Sequence, residues 1–146
     1  GELFQRTKET HVINLDDESK NYFLKFPAQK KYGYGINIES QNKEVKGMEV
    51  NPELSEIKAS EIQILESGTA FKVQGVDFYL ELIGLFNIYN ALAAICVALS
   101  QGISLEVCKK ALERFKQIPG RMEMVIQKPF KVIVDYAHTP NALENV

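Results

Sequence analysis

The sequence predicts an α/β fold, and three observations carry that expectation. Short β-branched runs near both ends of the chain finish in polar turns. The middle alternates apolar and polar residues with period two, and beyond Asn87 the period lengthens to about 3.6. Strands interleaved with helices of this kind pack as helices on a sheet.

Taken in order, His11 to Leu15 is a strand that opens into the polar turn Asp16, Asp17, Glu18. Ser19 to Phe26 has the composition of a short helix, with Pro27 as its stop. Residues 30–38 form a further strand entered through Gly33 and Gly35. No third glycine or following helix completes a dinucleotide pattern, so the pair marks a strand edge or bend rather than a phosphate loop.

From Ile57 to Leu82 the alternation runs through Ala59, Ile62, Ile64, Phe71, Val73, Val76, Phe78 and Leu80. Breaks at Glu66–Gly68 and Gln74–Gly75 are tight turns, giving a three-stranded antiparallel meander. Asn87 to Gln101 then places Ile88, Ala91, Leu92, Ile95 and Leu99 on one helical face, with Gly102 at the C′ position. Ser104 caps a second helix with Val107, Cys108, Ala111, Leu112 and Phe115 inward, and Pro119-Gly120 closes it.

Residues 130–135 read as the clearest buried strand of the chain. Thr139 follows as an N-cap and Pro140 stands at the first helical position. Only about two turns follow, and their apolar Ala142, Leu143 and Val146 have no partner in the sequence, so a longer parent protein is expected.

With 146 residues, 45% of them hydrophobic, one sizeable core is expected. Lys and Arg number 17 against 19 Asp and Glu, a net charge of −2, and the signs are interspersed, which gives no footprint for nucleic acid. Cys96 and Cys108 lack any metal-ligand spacing and read as buried, reduced cysteines of a cytoplasmic protein. Gly1 to Arg6 carries no signal-peptide pattern. Gly84 to Leu105 has no charge and is long enough to raise a membrane span, but Asn87, Asn90, Ser100, Gln101 and Gly102 interrupt it. A buried helix is the better reading, and no membrane partner is expected.

Chemistry concentrates in three blocks. Asn87 and Asn90 share a face on the opening turn of a helix, where two amides can offer donors and acceptors to a heterocycle such as adenine. On spacing alone, the simpler reading of Asn87 is a helix cap. Pro119-Gly120 presents Arg121 on a rigid turn, and a fixed guanidinium suits phosphate oxygens, though a surface ion pair is the commoner fate of such an arginine. Asp135, Tyr136 and His138 stand at the C-terminal end of a strand, the edge where open α/β sheets bind ligands. His138 is equally well explained as a partner for its own turn. No Ser or Cys stands on a strand-to-helix elbow, which argues against a nucleophilic triad.

The order, spacing and wording of these blocks resemble the Mur ligase family. The run Leu85 to Ala94 looks like that family's Asn-x-x-Asn helix, and Pro119 to Glu123 like the arginine turn before its interdomain hinge. Asp135 to Pro140 is similar to the hinge motif of the MurE branch, and the Asn14–Asp17 turn and the meander match more loosely. The resemblance implies that residues 1–129 are the later portion of a central, P-loop-type ATP-binding domain with parallel strands, an antiparallel meander and two helices. Residues 130–146 would be the hinge and the start of the C-terminal domain.

It further implies a ligase that uses ATP and magnesium to add diaminopimelate or lysine to UDP-N-acetylmuramoyl-L-alanyl-D-glutamate through an acyl phosphate. Asn87 and Asn90 would face adenine, Arg121 would act on the phosphates as the catalytic cation, and Asp135 would hold the ribose. Tyr136 and His138 would line the hinge. The metal ligands are expected outside this stretch, and the sequence contains no Gly-x-x-Gly-Lys-Thr-type phosphate loop, so the 146 residues alone are expected to lack ligase activity. Two other readings share these motifs: the MurE-like unit of a cyanophycin synthetase, and a non-catalytic nucleotide-binding module.

Overall fold

The computed structural model describes residues 1–36, 54–116, 118–126 and 128–144. In chain order the elements are α1 (Glu2–Arg6), β1 (Thr10–Asn14), α2 (Lys20–Leu24), β2 (Lys30–Ile36), β3 (Leu54–Leu65), β4 (Gly68–Val73) and β5 (Val76–Leu80). They are followed by α3 (Leu85–Ser100), α4 (Leu105–Glu113), β6 (Glu123–Ile126), β7 (Val132–Val134) and α5 (Pro140–Leu143). The expected strand over 30–38 is present to Ile36, and its last two residues lie outside the described residues.

Five strands form one sheet in the order β1-β2-β3-β4-β5. The pairs β1–β2 and β2–β3 are parallel, whereas β3–β4 and β4–β5 are antiparallel, so the expected meander is present and is joined to a parallel half. The two halves are covered differently. Parallel strands are normally covered on both faces, and here α3 lies on one face of β1–β3 while α2, with Phe4 of α1, covers β1 on the other. On that second face Phe4 packs edge-on against His11 and tilted against Phe23, with ring centroids 4.7 Å apart in each case. Farther along the sheet, β3 and β5 turn that second face to water through Glu56, Lys58 and Asp77, whose alternation with buried Ile57, Ala59 and Phe78 follows the pleat.

The core lies between this sheet and α3. Ile57, Ala59, Phe71, Val73, Phe78 and Leu80 from the strands meet Ile88, Ala91, Leu92, Ile95 and Cys96 from α3, and Cys108 from α4. Burial pushes the Cys96 thiol up to about 12 and Cys108 upward as well, so both are packing residues rather than nucleophiles. Gly102, at φ 79°, ends α3 as its composition suggested. Its N–H donates to Leu99 O at 3.0 Å and Ile103 N–H donates to Ala98 O at 3.0 Å, the paired bonds of a Schellman cap.

Five expectations need correction. Ile64, expected on the buried face of the meander, is exposed, because the β3–β4 register shifts between Ser60 and Gln63 and breaks the alternation. Gly33 and Gly35 lie inside β2, which is paired on both sides, and mark neither an edge nor a bend. They are small because the loop after β1 crosses them: an added Cβ would stand 2.6 Å from the Leu15 side chain at Gly33 and 2.9 Å from the Asp16 carboxylate at Gly35. Helix α4 faces inward through Leu105, Cys108 and Leu112, while Val107, Ala111 and Phe115 are exposed, because the helix docks beside α3 and β5 along a narrower stripe. Ser104 occupies the N-cap position of α4 but makes no side-chain cap bond. Finally, β7 pairs only with β6 in a two-stranded ribbon, and Phe130, Ile133 and Val134 are exposed rather than buried. Among the described residues no helix covers that ribbon.

Candidate nucleotide site

Helix α3 begins abruptly. Gly84, at φ 108°, turns the chain out of the sheet, and an added Cβ there would stand 2.7 Å from the Phe86 ring. Gly84 is the N-cap, so Asn87 is not, and the cap reading of Asn87 is replaced by a different one. Asn87 sits one turn in, 5% exposed, and its Nδ2 donates to Ile83 O at 3.0 Å. Its Oδ1 accepts from Asn90 Nδ2 at 3.4 Å, a long bond that orients the second amide. Asn87 thereby has one N–H and one lone pair engaged within the helix, while Asn90 keeps its own oxygen and a further N–H free of these bonds.

Opposite this turn stands the loop after α4. Arg121 N–H donates to Ile118 O at 3.0 Å, closing the Pro119-Gly120 turn. The Arg121 guanidinium lies 5.7 Å from the centroid of the Tyr136 ring, a cation–π contact from the hinge segment. Asp135 directs both carboxylate oxygens at backbone: Oδ2 accepts from Met122 N–H at 2.8 Å and Oδ1 from Ala137 N–H at 2.7 Å. Thr139 caps α5 as expected, its Oγ1 accepting from Ala142 N–H at 3.3 Å with Pro140 in the first turn.

The three blocks therefore meet. A cleft of about 330 Å³ is lined by Phe86, Asn87, Asn90, Ile118, Arg121, Asp135, Ala137 and Ala142. Four of the six site residues expected from sequence line it. Tyr136 is 67% exposed and reaches the site through Arg121. His138 is exposed and its Nδ1 stands 2.8 Å from Tyr136 O, so that nitrogen donates to its own turn, in agreement with the simpler reading. The apolar walls Phe86, Ile118 and Ala142 were not singled out from sequence, where they read only as helix or turn residues. A cleft with apolar walls that also presents side-chain amides and a guanidinium suits a flat heterocycle carrying phosphates. Among the described residues no cluster of His, Cys, Asp and Glu could hold a metal ion. No helix there is long and apolar enough to cross a membrane.

The family model for the Mur ligase middle domain matches residues 1–98 of the chain. The chain belongs to the Mur ligase family. Over its whole length it is 35% identical to the UDP-N-acetylmuramoyl-L-alanyl-D-glutamate–2,6-diaminopimelate ligase of Halalkalibacterium halodurans, of which it covers 29%. It is 42% identical, over 97% of its length, to the UDP-N-acetylmuramyl-tripeptide synthetase of a Roseiflexus species, of which it covers 26%. The chain thus spans less than a third of the length of these Mur ligase relatives. MurF from Acinetobacter baumannii shares the fold, with a TM-score of 0.72 at 22% identity over 93% of this chain and 28% of that one.

A second feature ties the Mur ligase sheet to the site helix. The Asp16 carboxylate, at the end of β1, accepts from Ile36 N–H at 2.8 Å and from the Tyr89 hydroxyl at 2.9 Å through Oδ2. Tyr89 lies between Asn87 and Asn90, so this bond fixes the rotation of α3 over the strand ends. Burial, and then the bond to Asp16, push the Tyr89 phenol from its ordinary 10.0 up to about 12. A raised acid contributes stability that is complete below pH 10.0 and is lost as pH rises through about 12. Denaturant midpoints should therefore fall across that window, and less steeply in Tyr89→Phe; equal slopes in the two proteins would refute the link.

Proposed function

We propose that the chain is the nucleotide-contacting part of an ATP-dependent ligase that joins diaminopimelate or lysine to UDP-N-acetylmuramoyl-L-alanyl-D-glutamate. The convergence of Asn90, Arg121 and Asp135 on one cleft carries this reading. The names of the relatives from Halalkalibacterium and Roseiflexus support its substrate. On this reading residues 1–129 belong to the central ATP-binding domain and residues 130–146 to the hinge and the next domain. The protein works in the cytoplasm on small molecules.

ATP supplies the phosphoryl group: its transfer to the substrate carboxylate gives an acyl phosphate and ADP, and attack by the amine then gives an amide and inorganic phosphate. The residues of this chain hold and orient rather than react. Asn90 presents an amide oxygen and N–H to the adenine edge, and Asn87 fixes the angle at which it does so. Phe86 and Ile118 exclude water from the ring faces. Arg121 faces the phosphates, where a pre-set cation is worth most as charge is redistributed during transfer. Asp135 borders the ribose, with Tyr136 and His138 along the hinge. Magnesium has no ligand set among the described residues, so no step is assigned to it here.

A chimera tests the reading. Residues 1–146 replace the matching stretch of the Halalkalibacterium ligase, and phosphate release is followed with ATP and the UDP-linked dipeptide. Release that depends on added diaminopimelate or lysine is expected. A folded chimera that binds both nucleotides yet releases no phosphate with either amino acid would overturn it.

A further inference from the structure

The turn that carries Arg121 is held by groups outside it. Gly120 N–H donates to Glu123 Oε2 at 2.8 Å, Met122 N–H donates to Asp135 Oδ2 at 2.8 Å, and Tyr136 N–H donates to Gly120 O at 2.9 Å. With the Arg121–Ile118 bond, consecutive peptide units on both sides of Arg121 are pinned. The pinning has conformational work to do, because Gly120 stands at φ 69° and Met122 at φ 46°, and a non-glycine residue rarely adopts the latter region. Two of the acceptors are carboxylates, and charge-assisted bonds to backbone N–H are the strong kind.

We propose that Glu123 and Asp135 are positioning residues for Arg121: two carboxylates grip the backbone on either side of it, so that its guanidinium is set over the Tyr136 ring at the edge of the cleft. The physical gain is pre-organisation. An arginine side chain surrenders much rotamer freedom when it binds an anion, and a fixed backbone and a ring beneath it remove part of that loss beforehand. Glu123 does not line the cleft, so its effect on a ligand must pass through the turn. Asp135 has both oxygens engaged by N–H groups, and its grip on Met122 is separate from any contact with ribose. The inference rests on the proposed function only for what Arg121 touches.

The test is NMR on this chain without nucleotide, comparing wild type with Glu123→Ala and Glu123→Gln. Glutamine keeps an oxygen for Gly120 N–H; alanine does not. In Glu123→Ala, exchange of the Gly120 amide should accelerate on the order of tenfold. The NOEs between the Tyr136 ring and the Arg121 side chain should vanish while those across β6 and β7 remain. Glu123→Gln should resemble wild type in both respects. Persistence of the Tyr136–Arg121 NOEs in Glu123→Ala would overturn the proposal, and so would loss of the β6–β7 NOEs, which would make Glu123 a support of the whole ribbon. A second arm titrates inorganic tripolyphosphate into the same proteins. If the NOEs respond as expected but tripolyphosphate binding does not change, the positioning role stands and the phosphate role of Arg121 falls.

Discussion

Leu92→Ala is expected to destabilise the chain by about 3.5 kcal/mol, the middle of the range for emptying a fully buried leucine site. Leu92 is 0% exposed at the centre of α3 and sits in the core cluster with Phe71, Phe78 and Ile88. Domains of this size hold only about 5–15 kcal/mol in total, so the loss should be plain in a denaturation curve. Val97→Ala, on the opposite side of the same helix at 53% exposure, should stay within about 0.5 kcal/mol of wild type. Both substitutions truncate an apolar side chain of the same helix, so a similar cost at the two positions would mean that α3 is not packed on the sheet by this face.

The second large effect concerns the ligand. Arg121→Ala should weaken ATP binding by at least about tenfold while leaving adenosine binding unchanged, because removing a guanidinium costs the phosphates their charge-assisted bonds. Asn90→Ala should weaken both ligands, since on the proposed reading its amide faces the base. Calorimetric or NMR titration of the two variants with the two ligands gives a four-way comparison. Equal weakening of ATP and adenosine by Arg121→Ala would place the arginine on the wrong end of the nucleotide.

Most of the fold was legible because local pattern and tertiary demand agree. The helical run through Leu92 and most of the period-two run from Ile57 to Leu82 bury the face that the sequence marks, whereas Ile64, past the register shift between Ser60 and Gln63, is exposed. The glycines of β2 were misread for a reason that no local pattern carries: their smallness answers to Leu15 and Asp16, which cross them from the neighbouring strand's loop. Val107 and Phe115 were placed inward because an amphipathic helix can present a stripe wider than its neighbours cover. The apolar strand ending at Val134 reads as buried, yet among the described residues its partner is only β6.

Four of the residues that line the cleft were legible in the sequence, but their hydrogen-bond partners were not. Spacing put Asn87 and Asn90 on one face, but it did not reveal that Asn87 donates to Ile83 O and accepts from Asn90. Asp135 was marked by its place at a strand end, and its two bonds to Met122 and Ala137 could not be read from that position. Glu123 carried one usable signal, a carboxylate three residues after a turn glycine. The Asp16–Tyr89 bond, spanning 73 residues of sequence, carried none.

The measurement that bears most directly on the nucleotide site is an amide-shift titration of this chain with ATP and magnesium, repeated with Asn90→Ala and Arg121→Ala. Saturable shifts at Asn87, Asn90, Arg121 and Asp135 that disappear in both variants are expected. Shifts that survive the substitutions would contradict a nucleotide site between α3 and the hinge. So would shifts that map instead to the 420 Å³ hollow bordered by Glu66, Glu81, Lys116 and Met124, or no shifts at all with millimolar ATP.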